Sequence, residues 1–145
     1  MALAFRNLNI TPDDPVETWH TEGLHAALER GDLSHWRRIA HEVRQDPWGQ
    51  VAQELAEVLG YSRPYGVAAL MDSVLANARS AERDRERAEV ATEVRSLINA
   101  SGLTNDAFAA RIGTSPSRLS TYATGRVVPS AALLVRMRRV VRSGN

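Results

Sequence analysis

Cysteine is absent from this 145-residue chain, which excludes disulfides, thiolate zinc sites, iron–sulfur clusters and cysteine nucleophiles. Lysine is absent too, and all 18 basic residues are arginine. Arginine and alanine codons are GC-rich, so a bias toward arginine beside 21 alanines carries no functional weight by itself; position and clustering do. No apolar run approaches the roughly 20 residues that span a bilayer. Residues 1–6 show no charged segment followed by an apolar one, so a secretory leader is not expected. The default expectation is a soluble, cytoplasmic protein of about one domain's length. Strand signals are nearly absent as well: only Leu3, Phe5, Leu8 and Ile10 alternate like short extended segments.

What is present is 43% hydrophobic and 24% charged residues, enough to bury one core or two small helical ones. The net charge of +1 hides an asymmetry. Residues 1–87 hold ten arginines against 14 carboxylates, whereas residues 88–145 hold eight against three. Beyond Asp106 there are seven arginines and no acid. A basic end on a mildly acidic body is the electrostatic footprint of a nucleic-acid-facing segment.

The pattern from Val16 onward is helical. The 11–15 turn precedes a first helix, with Gly31 expected to stop it as a left-handed residue. Asp32 caps a second, whose apolar face uses Leu33, Trp36, Ile39, Ala40 and Val43. Asp46 and Pro47 are expected to restart a third, with Val51, Leu55, Val58 and Leu59 as its stripe and Gly60 as its end. From Val67 the 3–4 spacing runs through Leu70, Met71, Val74, Leu75, Ala78 and Ala81. It crosses six alternating charges at 82–87 and resumes at Ala88, Ala91, Val94, Leu97 and Ile98. With no Gly or Pro over 67–100, one long helix bridging two domains is expected. The domains are then residues 1–63, a helical connector at 64–87, and residues 88–145.

Residues 103–130 carry the chemistry. Thr104 caps a helix over 105–112 with Phe108 and Ile112 on one face, and Gly113 supplies the positive φ of a tight helix–helix turn. Ser115 caps a second helix, Pro116 fits its first position, and Leu119 and Tyr122 face inward. Ala109 is small where the two helices must approach, and Gly125 stops the second. Ser130 caps a final helix with Leu133, Leu134, Met137, Val140 and Val141. This is a helix-turn-helix with a supporting helix on each side.

The segment resembles the lambda repressor/Cro-like (XRE-type) helix-turn-helix family over about 88–142. The resemblance rests on Leu103-Thr104, Phe108-Ala109, Ile112-Gly113, Ser115, Leu119-Ser120, Tyr122, Gly125-Arg126, Pro129-Ser130 and Leu133-Leu134. Two positions depart from it: Asn105 stands where the family often has a longer Gln that reaches a phosphate, and Ala107 replaces a frequent Glu of a capping box. The resemblance implies an all-α DNA-binding transcriptional regulator, a repressor, acting as a homodimer on a near-palindrome of double-stranded DNA. An alternative it allows is an antitoxin, which neutralises a toxin through the N-terminal domain and represses its own promoter through the other.

At about 100° per residue, an inward Leu119 places Ser117, Thr121 and Thr124 outward, with Arg118 and Ser120 on the flanks. Ser117, Arg118 and Thr121 are the base-reading candidates. Asn105, Ser120, Thr124 and Arg126 are the phosphate candidates, and Arg111 is a further one. Arg136, Arg138, Arg139 and Arg142 read as complements of the last helix's dipole, and Trp19, Trp36 and Trp48 as core. Asp13, Asp14, Glu54 and Glu57 read as caps and solvated faces. His20, His25, His35 and His41 lack the i,i+4 spacing of a helical zinc site. No phosphate-binding loop and no nucleophile–base pair is present, so neither an enzyme nor a cofactor is expected.

Overall fold

The computed structural model describes residues 2–6 and 8–144; Asn7, together with Met1 and Asn145, the outer limits of the expected domains, lies outside the described residues. A 3₁₀ turn, Val16–Thr18, precedes α1 (His20–Arg30), α2 (Leu33–Gln45), α3 (Gln50–Leu59), α4 (Val67–Ser101), α5 (Asn105–Ile112), α6 (Pro116–Thr124) and α7 (Ala131–Ser143), with no strand among the described residues. The class is all-α. The chain divides into two compact units, whose boundary in sequence falls between Glu82 and Arg83. The 35-residue α4 is one helix, as the uninterrupted 67–100 pattern predicts. Val67, Met71 and Val74 on its first part belong to the core of the first unit, and Val94 and Ile98 on its last part to that of the second. Ala81 and Ala88, expected in the apolar stripe, are exposed, because neither core extends to that stretch of the helix.

The first unit is built around Trp19, fully buried, with Leu24, Leu28, Ile39, Leu55 and Met71. No strand forms among the described residues of the N-terminal segment. Phe5 instead sets its ring edge-on against Trp19 at 5.1 Å, and Leu3, Leu8 and Ile10 lean on the same core. The 11–15 turn closes through the Asp14 N–H to the Thr11 carbonyl, 3.0 Å. Arg38 holds it by donating to the Pro12 and Asp14 carbonyls while its guanidinium lies 4.9 Å from the Trp19 ring centroid.

Several helix ends here differ from the sequence reading. Asp32 does cap α2, in a reciprocal box with the His35 ring. Gly31 is extended, not left-handed (φ −82°, ψ −171°). Glycine is needed there because an added Cβ would sit 2.4 Å from the Ala27 carbonyl oxygen. Asp46 does not start α3. It ends α2, its carbonyl accepts the Gly49 N–H at 3.0 Å, and Gly49 becomes the N-cap. Of the three tryptophans only Trp19 is core. Trp36 is half-buried and donates its indole N–H to the Ala27 carbonyl at the end of α1, 2.9 Å. Trp48 is exposed, with the Arg79 guanidinium 4.5 Å above its ring. Glu54 is not merely solvated: its Oε1 lies 3.2 Å from His20 Nδ1 and accepts from Gln50, and His20 has a positive φ of 55°. Leu33 and Leu70, both assigned to inward stripes, are exposed.

The second unit closes a smaller core in which Val94, Phe108, Ile112, Leu119 and Met137 are buried. No helix of the described residues is long and apolar enough to cross a membrane.

Candidate nucleic-acid interface

Each helix of the second unit begins on a hydroxyl. The Thr104 side chain accepts the Ala107 N–H, that of Ser115 the Arg118 N–H, and that of Ser130 the Leu133 N–H, at 3.1–3.2 Å. Each cap satisfies one of the amides a helix start leaves open, a contribution of about 1 kcal/mol. Gly113 ends α5 in the left-handed region (φ 80°). Its N–H reaches the Ala110 carbonyl and the Thr114 N–H reaches that of Ala109, the paired bonds of a Schellman turn. The chain thereby reverses into α6 within three residues. Ala109, with no exposed surface, lies under the crossing, and the inward faces meet through Phe108, Ile112, Leu119 and Tyr122. Gly125 (φ 82°) then stops α6.

Burial of Leu119 and Tyr122 fixes which way α6 faces. Ser117, Arg118, Ser120 and Thr124 are exposed, and Thr121 is half-buried. Three of these hydroxyls already have partners on the helix. Ser117 Oγ lies 3.2 Å from Ser115 Oγ, Thr121 donates to the Arg118 carbonyl at 2.6 Å, and Thr124 donates to that of Thr121 at 3.3 Å. With its proton so placed, Thr121 offers lone pairs and a methyl group outward: an acceptor for a base amino group and an apolar contact for a thymine methyl. Asn105 and Arg126 are both exposed, the first opening α5 and the second just past Gly125.

Ser120 and Asn105 share one cleft, a placement that residue spacing along α6 alone does not predict. They line a cleft of about 260 Å³ together with Pro116, Leu119 and Ala123 of α6 and with Arg95, Ile98 and Asn99 of α4. Arg118 lies about 200° round the helix from Ser120 and is not part of it. Arg95 and Asn99 were missed by sequence reasoning because they precede the motif. Their i,i+4 spacing on one helix face is the signal that marks them. The cleft gathers guanidinium, carboxamide and hydroxyl donors beside α6, the kinds of group that hold phosphate oxygens.

Six of this unit's eleven arginines fall into two contrasting sets. Arg95 donates to the Ala123 carbonyl, 2.6 Å, in the last turn of α6. Arg136 donates to the Ile112 carbonyl, 3.3 Å, at the end of α5. Arg138 pairs with Glu93 of α4 at 2.8 Å, and that partner raises its guanidinium pKa further. Arg136 and Arg138 are thus not complements of α7's own dipole: they reach across to neighbouring helices, because their spacing on α7 carries them over those partners. Arg111, Arg118 and Arg126 are exposed, and among the described residues no hydrogen bond or ion pair engages their guanidinium groups. No group of three or more His, Asp or Glu among the described residues is placed to hold a metal ion.

No curated protein and no solved structure is matched by the chain. The family match is confined to the second unit and agrees with its geometry: residues 85–143 match the family model described as a helix-turn-helix domain, and this part of the chain is a helix-turn-helix domain.

Proposed function

We propose that the protein is a sequence-specific, double-stranded-DNA-binding transcriptional regulator of the XRE type, a non-enzymatic repressor that acts in the cytoplasm as a homodimer. The observation that carries this reading is the exposed face of α6. Ser117 and Thr121 stand opposite buried Leu119 with Arg118 on the flank, and among the described residues no hydrogen bond or ion pair engages the guanidinium groups of Arg111, Arg118 and Arg126. In such motifs the second helix lies in the major groove with its N-terminal residues at the base edges. Arg118, the third residue of α6, forks onto a guanine, and Ser117 and Thr121 add less selective contacts. Asn105, Ser120, Thr124 and Arg126 hold the flanking phosphates, joined by Asn99 of the cleft.

One short helix reads only a few base pairs, and two-fold symmetry is the usual remedy. Binding-site selection from random duplexes with the full chain should return two half-sites about one helical turn apart. Sedimentation should show a dimer on that duplex. Selection without a motif, or a monomer both free and bound, contradicts the proposal. The antitoxin alternative keeps the same DNA-binding end and gives residues 1–63 a toxin to neutralise. A neighbouring toxin gene, whose product co-purifies with the full chain, distinguishes it.

A further inference from the structure

The first unit carries an apolar groove that its own core does not explain. Leu33, Trp36 and Ala40 line it from α2, and Leu70, Met71 and Val74 from α4. Leu33 is 50% exposed and Leu70 44%, although both sit on stripes that otherwise face inward. The volume is about 130 Å³. Arg37 and Arg44, two helical turns apart on α2, also line the groove. Both are exposed, and neither has a hydrogen bond or ion pair among the described residues.

We infer that this groove is a docking site for an amphipathic, acidic helix of another protein. An open apolar groove lined by two helices offers the place of a third, whose i, i+3/i+4 and i+7 side chains would fill it. The charges choose the occupant. The groove contains two unpaired cations and no carboxylate. A second copy docked groove to groove would set arginine against arginine. The exposed acid on this part of α4, Asp72, supplies no relief, because Arg63 already holds both its oxygens at 2.7 and 3.1 Å. A helix with carboxylates beside its apolar stripe satisfies both arginines, and like-charge juxtaposition rejects a basic one. The site lies wholly within residues 33–74 and does not depend on DNA binding.

The test uses the full chain and a display library of amphipathic helices with a fixed leucine stripe and randomised flanks. Selection should enrich Asp and Glu along one flank. A synthetic helix with glutamate on that flank should lose at least about tenfold in affinity for the double variant Arg37→Glu/Arg44→Glu. The same helix with lysine in place of glutamate should bind that variant and not the parent. Leu70→Ser should weaken both pairings. All three side chains are exposed, so melting temperatures should be unchanged, and Arg37→Gln/Arg44→Gln serves if charge reversal perturbs α2. The inference is overturned if neutral or basic flanks are selected, if no helix is enriched, or if binding is indifferent to these variants. It is equally overturned if the free chain is a dimer that Leu70→Ser dissociates, which would make a second copy the occupant.

Discussion

The two units are both helical and both rely on arginine, yet they use it differently. Residues 1–82 hold seven arginines against twelve acids, and residues 83–145 eleven against five. In the first unit, three of the seven arginines fasten irregular chain. Arg38 clamps the N-terminal turn, Arg63 grips Asp72, and Arg79 bonds the Pro47 carbonyl next to Trp48. In the second, Arg95, Arg136 and Arg138 tie helices together, while Arg111, Arg118 and Arg126 are left open to solvent on a stretch with no acid. An arginine excess is thus not a DNA-binding surface in itself. On the proposed reading, the arginines that face a polyanion are drawn from those the fold has not already engaged.

The greatest loss should follow removal of the second unit's core. Leu119 is 1% exposed between α5 and α6, and Leu119→Ala should cost about 2–5 kcal/mol. Calorimetry should show the second unit's transition lowered or lost, and DNA binding should go with it. The next effect separates the open arginines from one another. Arg118→Ala should cost about 1–3 kcal/mol and relax preference at one base pair. Arg126→Ala should weaken all sequences alike and reduce the salt slope by about one. A binding-site selection on each variant checks both, with melting temperature as the folding control.

The tying arginines should behave in the opposite way. Arg136→Ala removes the donor to the Ile112 carbonyl, so stability should fall by about 0.5–1.5 kcal/mol while the base preference is unchanged. Thermal melting and the same selection read the two quantities side by side. The smallest expected effect lies in the first unit. Its Arg63 partner holds the Asp72 carboxyl below the usual carboxylate range. A depressed folded-state pKa contributes stability above the unfolded value and loses it as pH falls. Melting of the parent chain should therefore weaken slightly below about pH 4, and Asp72→Asn should remove that part of the pH dependence. Both groups are exposed, so solvent screening keeps the effect small.

The same contrast governs how much was legible in the sequence. The helix-turn-helix reads directly because its punctuation is local. Thr104, Ser115 and Ser130 cap through their own side chains, and Gly113 and Gly125 take the positive φ that glycine alone adopts freely. The first unit's ends are settled by distant atoms. Gly31 is required by the Ala27 carbonyl, and Asp46 closes a turn onto Gly49 instead of opening a helix. Trp48 is apolar enough for a core but lies under Arg79 at the surface. At the interface, periodicity located the outward face of α6. It did not locate the cleft, because Arg95 and Asn99 join Asn105 and Ser120 only through the packing of α4 on the motif. Nor does a list of arginines reveal which ones the fold has engaged; Arg136 and Arg126 look alike until the Ile112 carbonyl is seen beside the first.

The central proposal is that DNA is held by Arg111, Arg118 and Arg126, whose guanidinium groups the motif leaves without partners among the described residues. The most direct measurement is the affinity of the full chain for its selected duplex over a range of salt concentrations. It is made for the parent and for the triple variant Arg111→Gln/Arg118→Gln/Arg126→Gln. The parent should show affinity falling steeply, with a log–log slope of about −0.9 per neutralised phosphate, and the triple variant a slope shallower by two to three such units (about 0.9 each) at an unchanged melting temperature. A flat salt response of the parent, or an unaltered slope in the variant, would contradict it.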